Sequence, residues 1–311
     1  MFAKLVAQSG LSLDRLRALV EVGAAGSMVR AAEGDPARQS QYSRQIKELE
    51  DFFQTGLVER HGKGIRLTAS GRELARISRF FLLGLSNFQR GCLAEGQTYR
   101  IGASPTFIAS FLLPVLAEPR RVQSGVRFAI EAVLGDEVER RLHDLTLDFG
   151  VVTRAALSRP LQLKELGDWR LAFWVPKALC KTTKQAARAF ADKRLPVVWP
   201  TSELPQSEFN VLEDYEPALA CTNFLEARAA LEEKSLAAFL PDFIPLGATA
   251  DRCFQLKMPA VDSCLFHYYL AWNPRLLRLN PHAGRRRDAL VESLVQKLST
   301  FTAGRAGRAS H

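Results

Sequence analysis

The first third of the chain places apolar residues at helical spacing in three successive runs. Residues 13–24 follow Ser12, a residue type that often caps helices, and form the first run. Ser27 begins a second, shorter run, which the Gly-Asp-Pro sequence at 34–36 is expected to end because glycine and proline interrupt helices. A third helix is predicted from Ala37 to Phe53, so the pattern indicates three short helices before the first strand.

The third predicted helix has two chemically different faces. An advance of about 100° per residue puts four apolar side chains on one narrow stripe, Tyr42, Ile46, Leu49 and Phe53. The opposite face carries short hydrogen-bonding and cationic side chains, Ser40, Ser43, Arg44 and Lys47. Side chains of these kinds reach base edges and phosphates from a helix in the major groove. Taken alone, this face also fits an ordinary solvated surface, and the next segment decides between the two.

A short basic hairpin is predicted after the third helix. In the sequence ERHGKGIRLTASG two glycines permit a tight turn, and residues 65–68 alternate like a strand. Lys63 and Arg66 lie near its tip. Three short helices followed by a basic β-wing are typical of a winged helix-turn-helix, in which one helix reads bases and the wing holds the DNA backbone. Residues 1–68 are therefore predicted to be a DNA-binding domain.

A long amphipathic helix is predicted from Ala69 to about Gln89. Its apolar residues recur at helical spacing and are Leu74, Ile77, Phe81, Leu85 and Phe88. A small winged domain cannot cover so long a stripe, so a helix of a second subunit is expected to cover it. A two-fold dimer would present two recognition helices to two half-sites. The alternative is packing on its own N-terminal domain alone. Residues 69–96 are assigned to this linker and a hinge.

Strand-like and helix-like runs alternate from residue 97 onward. Such alternation predicts open α/β sheets, which bind ligands at the carboxyl ends of their strands. The last residues, 303–311, are small and basic and are predicted to be a disordered tail. The C-terminal part of the chain is therefore expected to be a separate, ligand-binding domain.

Composition and motifs narrow the class of protein. The formal charge of +9 favours a polyanionic partner, but residues 1–95 hold only 14 Lys and Arg against 10 Asp and Glu, so the excess is spread over the chain. The N-terminus lacks a signal-peptide pattern, and no apolar run is long enough to cross a bilayer, so a cytoplasmic protein without membrane contact is expected. The five cysteines form no CxxC pair and have no histidines at zinc spacing, so neither a metal nor a disulfide framework is predicted.

Catalysis is not indicated. The chain has no GxSxG elbow, P-loop, GxGxxG or HExxH motif, and its five histidines stand apart. An enzyme with a Ser/His/Asp triad assembled from distant positions remains an alternative interpretation. A periplasmic solute-binding protein is a second alternative, but such a protein is expected to carry a signal peptide, and no such pattern is found. We expect no enzyme, no catalytic residue and no cofactor.

The stretch from Leu13 to Gly71 resembles the N-terminal domain of LysR-type transcriptional regulators. The matching segments are LDRLRALVEV, GSMVRAAE, QSQYSRQIKELE and LVERHGKGIRLTASG, spaced as in the family without a gap. The resemblance continues through YRIGASPTFIASFLLP and the segment ending at Leu147 and Asp148. FLPDFI and YYLAW match later landmarks, so it covers almost the full chain.

The resemblance implies a sensor of two Rossmann-like α/β subdomains, similar to a periplasmic binding protein. Crossover strands near residues 160 and 266 would join subdomain I, residues 97–159 and 267–302, to subdomain II, residues 160–266. A small-molecule effector in the cleft between them would change DNA affinity or DNA bending. The resemblance also implies homodimers, which often pair into tetramers. The dimer would form through the linker helix at Leu74, Ile77, Phe81 and Leu85. RNA polymerase is a further candidate partner.

The resemblance assigns DNA contacts to individual residues. Ser27 and Arg30 would touch phosphates, and Lys63 and Arg66 of the wing would follow the backbone. The side chains expected to face the groove are Gln39, Ser40, Ser43 and Arg44.

This chain departs from the family pattern at the entry to the recognition helix. Asp35 stands where the family usually has an apolar residue, and Arg38, Gln39 and Ser40 replace a Ser-Gln-Pro triplet. Proline is normally an N-terminal helix residue, so its loss at Ser40 is expected to alter the helix entry. Arg38 adds a cation there, and the family's base preference therefore does not transfer.

In the cleft, the resemblance implies hydroxyl groups from both subdomains. They are Ser104 and Thr106 after the first strand, and Thr201, Ser202 and Thr222 on the second subdomain. The family prefers glycines where this chain has Lys234 and Leu236, so the backbone of that loop is expected to approach a ligand less closely.

An alternative keeps the DNA-binding module but makes the C-terminal half a redox-sensing or protein-interaction platform without a metabolite. Cys253 and Cys264 are the closest pair of thiols and would be the switch. Trp169, Trp174, Trp199 and the aromatic run FHYYLAW could line a pocket, although aromatic residues in strands are usually core. These alternatives stay open at the level of the sequence.

Overall fold

The computed structural model describes most of the chain, namely residues 10–61, 64–92, 98–118, 126–204, 215–233, 235–280 and 282–308. The chain divides into two compact units. One comprises Met1–Glu95 and Arg278–Asn280, and the other comprises Gly96–Leu277 and Pro281–His311. Within the described ranges, no helix combines the length and the apolar character needed to cross a bilayer.

The N-terminal unit consists of three short helices, a two-stranded hairpin and a long helix. They are α1 (Leu13–Ala25), α2 (Met28–Ala31), α3 (Pro36–Phe53), β1 (Val58–His61), β2 (Gly64–Leu67) and α4 (Ala69–Cys92). Their shared core is formed by Leu16, Ala18, Leu19, Val22, Ala32, Tyr42, Ile46, Leu49, Leu57 and Ala75. The predicted winged helix-turn-helix fold is confirmed.

Local capping explains where α1 and α3 begin. The Ser12 hydroxyl accepts a hydrogen bond from the backbone N–H of Arg15, as its position before α1 predicts. Asp35 caps α3 by accepting a 2.8 Å bond from the N–H of Ala37, and Pro36 is the first helical residue. Pro36 therefore opens α3 as well as closing the preceding turn, because a proline at that position gives up an N–H that no helical carbonyl could accept.

The hairpin is held against the helices by side-chain bonds to its backbone. Its strands pair antiparallel, with Glu59 opposite Arg66. A Glu50 carboxylate oxygen accepts bonds from the N–H groups of Leu57 and Val58, at 2.7 and 3.1 Å. These bonds satisfy backbone donors at the start of β1 and fix the direction in which the hairpin leaves the helices.

The C-terminal unit contains two five-stranded sheets. The first has the order β4-β3-β5-β12-β6 and is built from β3 (Thr98–Ala103), β4 (Arg127–Ala132), β5 (Phe149–Val152), β6 (Gln162–Trp169) and β12 (Phe266–Trp272). The second has the order β11-β7-β10-β8-β9 and is built from β7 (Leu171–Pro176), β8 (Val197–Pro200), β9 (Leu219–Cys221), β10 (Ala237–Pro241) and β11 (Cys253–Leu256). This is the predicted pair of α/β subdomains.

The chain passes from the first sheet to the second at Arg170. The predicted boundary at residue 160 is therefore too early, because β6 forms its hydrogen bonds with β12 of the first sheet. The carboxylate of Asp242 accepts a 3.2 Å bond from the backbone N–H of Arg170 and holds the crossing. The return lies between β11 and β12, and Phe266 already belongs to β12 of the first sheet, whereas the predicted second subdomain extends to residue 266.

Helices cover both sheets. A helical run over residues 105–116, here α5, contains a π-helical segment at Ile108–Leu112 between α-helical Pro105–Phe107 and Leu113–Leu116. The others are α6 (Gly135–His143), α7 (Thr183–Ala191), α8 (Phe224–Glu232), α9 (Pro259–Asp262), α10 (Pro274–Leu279) and α11 (Ala283–Arg308), with a 3-10 turn at Gly247–Arg252. Residues 303–308 continue α11, which differs from the disordered tail predicted over 303–311; residues 309–311 lie outside the described part of the chain.

Candidate functional site

The exposed face of α3 collects the polar residues singled out in the sequence. Tyr42, Ile46 and Leu49 are buried in the core, and Phe53 packs against it. The opposite side chains are all exposed and comprise Arg38, Gln39, Ser40, Ser43, Arg44 and Lys47. The predicted two-faced character of the helix is confirmed, and this cationic, hydrogen-bonding face is open to a partner.

Arg38 differs from the rest of this face because it is tied to its own domain. Its guanidinium donates to the carboxylate of Glu33 at 3.2 Å and to the Tyr42 hydroxyl at 3.4 Å. The Tyr42 hydroxyl donates to the carboxylate of Glu21 on α1 at 2.6 Å, and this bond raises the pKa of Tyr42 above its ordinary value. The cation that replaces the family's usual residue is thus part of a network linking α1, the α2–α3 turn and α3.

The remaining predicted backbone contacts lie around this helix or outside the described residues. Ser27 precedes α2 at the N-cap position, is half-buried and makes no capping bond through its hydroxyl. Arg30 is exposed. On the wing, Arg66 is exposed, whereas Lys63 belongs to the two turn residues that the structure does not describe.

Helix α4 carries an apolar stripe that the described part of its own domain leaves uncovered. Its large side chains are strongly exposed to solvent: the exposed fraction is 52% for Ile77, 48% for Phe81, 42% for Leu85 and 73% for Phe88. Leu74 behaves differently, because it is half-buried and packs against the core of the N-terminal unit. We therefore define the linker stripe as Ile77, Phe81, Leu85 and Phe88, and Leu74 as its attachment to the winged domain.

The C-terminal unit contains a cavity of about 140 Å³ bounded by residues of both sheets. It is lined by Ser104, Val133, Leu134, Gly135, Val151, Val152, Thr153, Arg154, Trp169, Ser202, Glu203, Leu204, Phe224 and Tyr268. Several of these residues lie within the first two positions after β3, β4, β5 or β8, so the cavity lies where carboxyl ends of parallel strands meet. Open α/β sheets bind ligands at such ends.

The five hydroxyl residues predicted for the cleft have three different positions. Ser104 and Ser202 line the cavity. Thr106 is fully buried and donates to the carboxylate of Glu203 through its hydroxyl and its backbone N–H. Thr201 donates to the carbonyl of Cys221, and Thr222 donates to Glu226; neither threonine is among the lining residues.

Sequence reasoning missed the residue that organises the cleft. Glu203 follows Ser202 directly, and its carboxylate oxygens accept bonds from Thr106 N at 3.1 Å and from Phe224 N at 2.8 Å. A single acidic residue after a strand is a weak signal, because nothing in its spacing distinguishes it from a solvated glutamate. Only the approach of the two sheets places donors 97 residues away beside it.

The other polar groups of the cavity are neutral or already paired. Burial, followed by the charges of Glu203 and Asp242, raises the pKa of Tyr268 well above its usual range, so its hydroxyl stays protonated. Trp169 Nε1 is buried and has no hydrogen-bond partner in the described structure. Arg154 forms ion pairs with Asp136 and Glu139, each at 2.8 Å. Trp169 and Tyr268 thus line the cavity, whereas Trp199 is buried core.

Among the thiols that the structure describes, Cys221 and Cys253 lack the environment of a redox switch. Burial raises the pKa of Cys253. Burial and then the charge of Glu226 raise the pKa of Cys221 to about 11. Oxidation begins from the thiolate, which a raised pKa makes scarce at neutral pH. Cys264 donates to the carbonyl of Ala260 at 3.1 Å. These surroundings disfavour the redox alternative.

Two family profiles match the chain. Residues 13–72 match "Bacterial regulatory helix-turn-helix protein, lysR family", and residues 94–295 match "LysR substrate binding domain". A curated relative, the HTH-type transcriptional regulator HdfR of Yersinia pestis, is 25% identical over 240 residues, which cover 75% of this chain and 82% of HdfR.

Solved structures share the fold at low identity. ArgP from Mycobacterium tuberculosis has a TM-score of 0.64 at 18% identity, with 90% of this chain and 96% of ArgP covered. Full-length LysG from Corynebacterium glutamicum with bound effector Arg has a TM-score of 0.59 at 18% identity, with 92% and 99% covered. With its winged N-terminal unit, its two-sheet C-terminal unit and both family profiles matched in order, this chain belongs to the LysR family of bacterial transcriptional regulators.

Proposed function

We propose that this regulator reads duplex DNA through the exposed face of α3 and responds to a small-molecule effector in the cavity between its two sheets. The observation that carries the DNA-binding part is that the polar side chains on this face of α3 are exposed while the opposite stripe is buried. Gln39, Ser40, Ser43 and Arg44 would contact base edges, while Ser27, Arg30 and Arg66 would contact phosphates.

Two recognition helices would act together in a homodimer. The linker stripe presents four large apolar side chains at helical spacing, and the same stripe of a second copy is its natural cover. A two-fold dimer would place one α3 in each of two half-sites, and pairs of dimers would form the tetramers implied by the family resemblance. Such a protein would act in the cytoplasm, where bacterial DNA is.

The effector part of the proposal rests on the cavity. It has the position expected of a ligand site in an α/β fold, and it combines an apolar lining with a few polar groups. LysG, whose fold is shared, was solved with a bound effector. Effector binding would favour one arrangement of the two subdomains and thereby change DNA affinity or DNA bending.

The DNA-binding part is tested with Arg44→Ala and with fragments recovered by immunoprecipitation of the full-length regulator. We expect the variant to lose roughly 10- to 100-fold affinity for a recovered fragment, because a base-edge contact contributes about 1–3 kcal/mol. Affinity for unrelated DNA of equal length should change by a few-fold only. Arg188→Ala is the matched control, since it removes an exposed arginine from α7 of the other unit. Equal losses in Arg44→Ala and Arg188→Ala would contradict this orientation of α3.

The effector part is tested by thermal unfolding against a panel of small metabolites. A ligand that stabilises the wild type should lose its effect in Ser202→Phe, because the ring would enter the cavity from an exposed position. Thr201→Phe, at the neighbouring exposed position outside the lining, should keep the response. A ligand whose effect survives in Ser202→Phe binds elsewhere.

A further inference from the structure

The carboxylate of Glu203 is bound by groups from both sides of the cleft. Thr106 belongs to the helical run that follows β3 of the first sheet, while Glu203 and Phe224 follow β8 and β9 of the second. Oε1 accepts from Thr106 N at 3.1 Å, and Oε2 accepts from the Thr106 hydroxyl and from Phe224 N at 2.8 Å. One side chain of the second subdomain is therefore fastened to the first.

The three donors together form a cradle for an anion. Two are backbone N–H groups, and the third is the hydroxyl of Thr106, a residue with no exposed surface. Converging N–H and O–H donors favour a negatively charged oxygen, and a carboxylate accepts such bonds more strongly than a neutral group does. In this chain the protein itself supplies the carboxylate.

The cavity beside this cradle has a different chemistry. Most of its lining is apolar or aromatic. Among the described lining residues one side chain is cationic, Arg154, and it is already paired with Asp136 and Glu139. A cavity of about 140 Å³ is close to the roughly 150 Å³ that accommodates benzene in an engineered apolar site.

We infer that Glu203 is an internal ligand that occupies the anion position of the cleft and thereby sets the class of effector. The cavity takes a small neutral molecule, about the size of a substituted benzene ring. Free carboxylates are excluded, because their site is filled and the charge of Glu203 repels them. This inference rests on the proposed function for the effector class, whereas the role of Glu203 as internal ligand is testable without any effector.

The test removes the internal carboxylate and supplies it from solution. Full-length Glu203→Ala is unfolded thermally in sodium propionate, in propionamide and in sodium chloride at equal concentration. We expect Glu203→Ala to melt at least about 2 °C below the wild type and to recover part of this loss in propionate only. The wild type should not respond specifically to propionate. Glu216→Ala, which removes an exposed glutamate from the same subdomain, should melt like the wild type and ignore propionate.

Glu203→Gln separates the effect of charge from the loss of the side chain. Its amide oxygen can still accept a bond, so we expect an intermediate melting temperature and no propionate response, since the cradle stays filled. If Glu203→Ala is insoluble, propionate during refolding should restore it and propionamide should not. The inference is overturned if Glu203→Gln is as stable as the wild type, or if propionate stabilises the wild type as much as Glu203→Ala.

The effector class is tested separately with benzamide and benzoate as probes. Benzamide should stabilise the wild type, and benzoate should not. A wild type that benzoate stabilises and benzamide does not would overturn the proposed class of effector. A wild type that responds to neither probe, together with propionate rescue of Glu203→Ala, would reject the effector cavity and this ligand class while leaving Glu203 as the internal ligand of the cleft.

Discussion

At the scale of single residues, Gly71 shows how closely the start of the linker helix approaches the wing. A Cβ at this position would lie 2.0 Å from the carbonyl oxygen of Leu57 and 2.9 Å from its carbonyl carbon. The approach is held by Thr68, whose hydroxyl donates to the carbonyl of Gly56 at 2.7 Å and accepts from Gly71 N at 3.0 Å. Glycine is needed here for space, because backbone atoms cannot move aside as a flexible side chain can.

We therefore expect Gly71→Ala to destabilise the N-terminal unit by about 1–3 kcal/mol or more, the range of overpacked core positions. Hydrogen–deuterium exchange resolved by mass spectrometry should show faster exchange in α1 and α3, while the two-sheet unit is unchanged. Gly56→Ala is the control, since a Cβ there meets no atom within 4 Å. Similar exchange in the two variants would show that the backbone contact is relieved at little cost.

At the scale of secondary-structure elements, helix α4 combines attachment to the winged domain with an exposed apolar surface. Ala75 is part of the N-terminal core and Leu74 packs against that core, while Ile77, Phe81, Leu85 and Phe88 remain exposed. A stripe of this size in a water-exposed position is costly unless another surface covers it. The element thus joins the winged domain at one end and offers an apolar surface along the rest.

Placing a carboxylate on this stripe should separate the subunits. We expect Ile77→Glu and Phe81→Glu to convert the full-length protein from a dimer or tetramer to a monomer, because burial of an unpaired charge is strongly unfavourable. Sedimentation velocity measures the change. Ser86→Glu adds the same charge at an exposed position on the opposite side of the helix by periodicity and should leave the assembly intact. An unchanged assembly in Ile77→Glu would assign the stripe to another role.

At the scale of the whole molecule, we expect DNA affinity to depend on a few cationic positions more than on the overall charge. The excess of +9 is spread over both units, and on α3 one cation, Arg38, is tied to Glu33 and Tyr42. Phosphate contacts such as that proposed for Arg66 release counterions and so appear in the salt dependence of binding.

The salt dependence of binding also shows how many subunits contact DNA through Arg66. If each protomer of a dimer places one Arg66 on a phosphate, Arg66→Ala should reduce the slope of log affinity against log salt by about two. Affinities for one recovered fragment, measured over a series of salt concentrations, would show it. A reduction of about one would indicate that a single wing touches DNA, and an unchanged slope would remove Arg66 from the interface.

Much of this protein follows from its sequence alone. The 3.6-residue period of Tyr42, Ile46, Leu49 and Phe53 determines which side of α3 is buried, and the opposite side is exposed as a consequence. The winged fold and the α/β character of the C-terminal domain follow in the same way, because period and turn chemistry are local properties of the chain. The division of that domain into two subdomains is implied only by the family resemblance. The limits of this reasoning appear at Leu13, which shares the apolar spacing of α1 yet is 50% exposed.

The boundaries and polar contacts of the cleft depend on tertiary structure. Periodicity cannot show that β6 pairs with β12, so the boundary predicted at residue 160 precedes the change of sheet at Arg170. Nor can it show that Glu203 meets Thr106 and Phe224, because those bonds exist only when two sheets approach each other. Local patterns determine which residues face a core, whereas the partners of a polar group depend on contacts between segments far apart in the chain, and the chemistry of the cleft resides in such contacts.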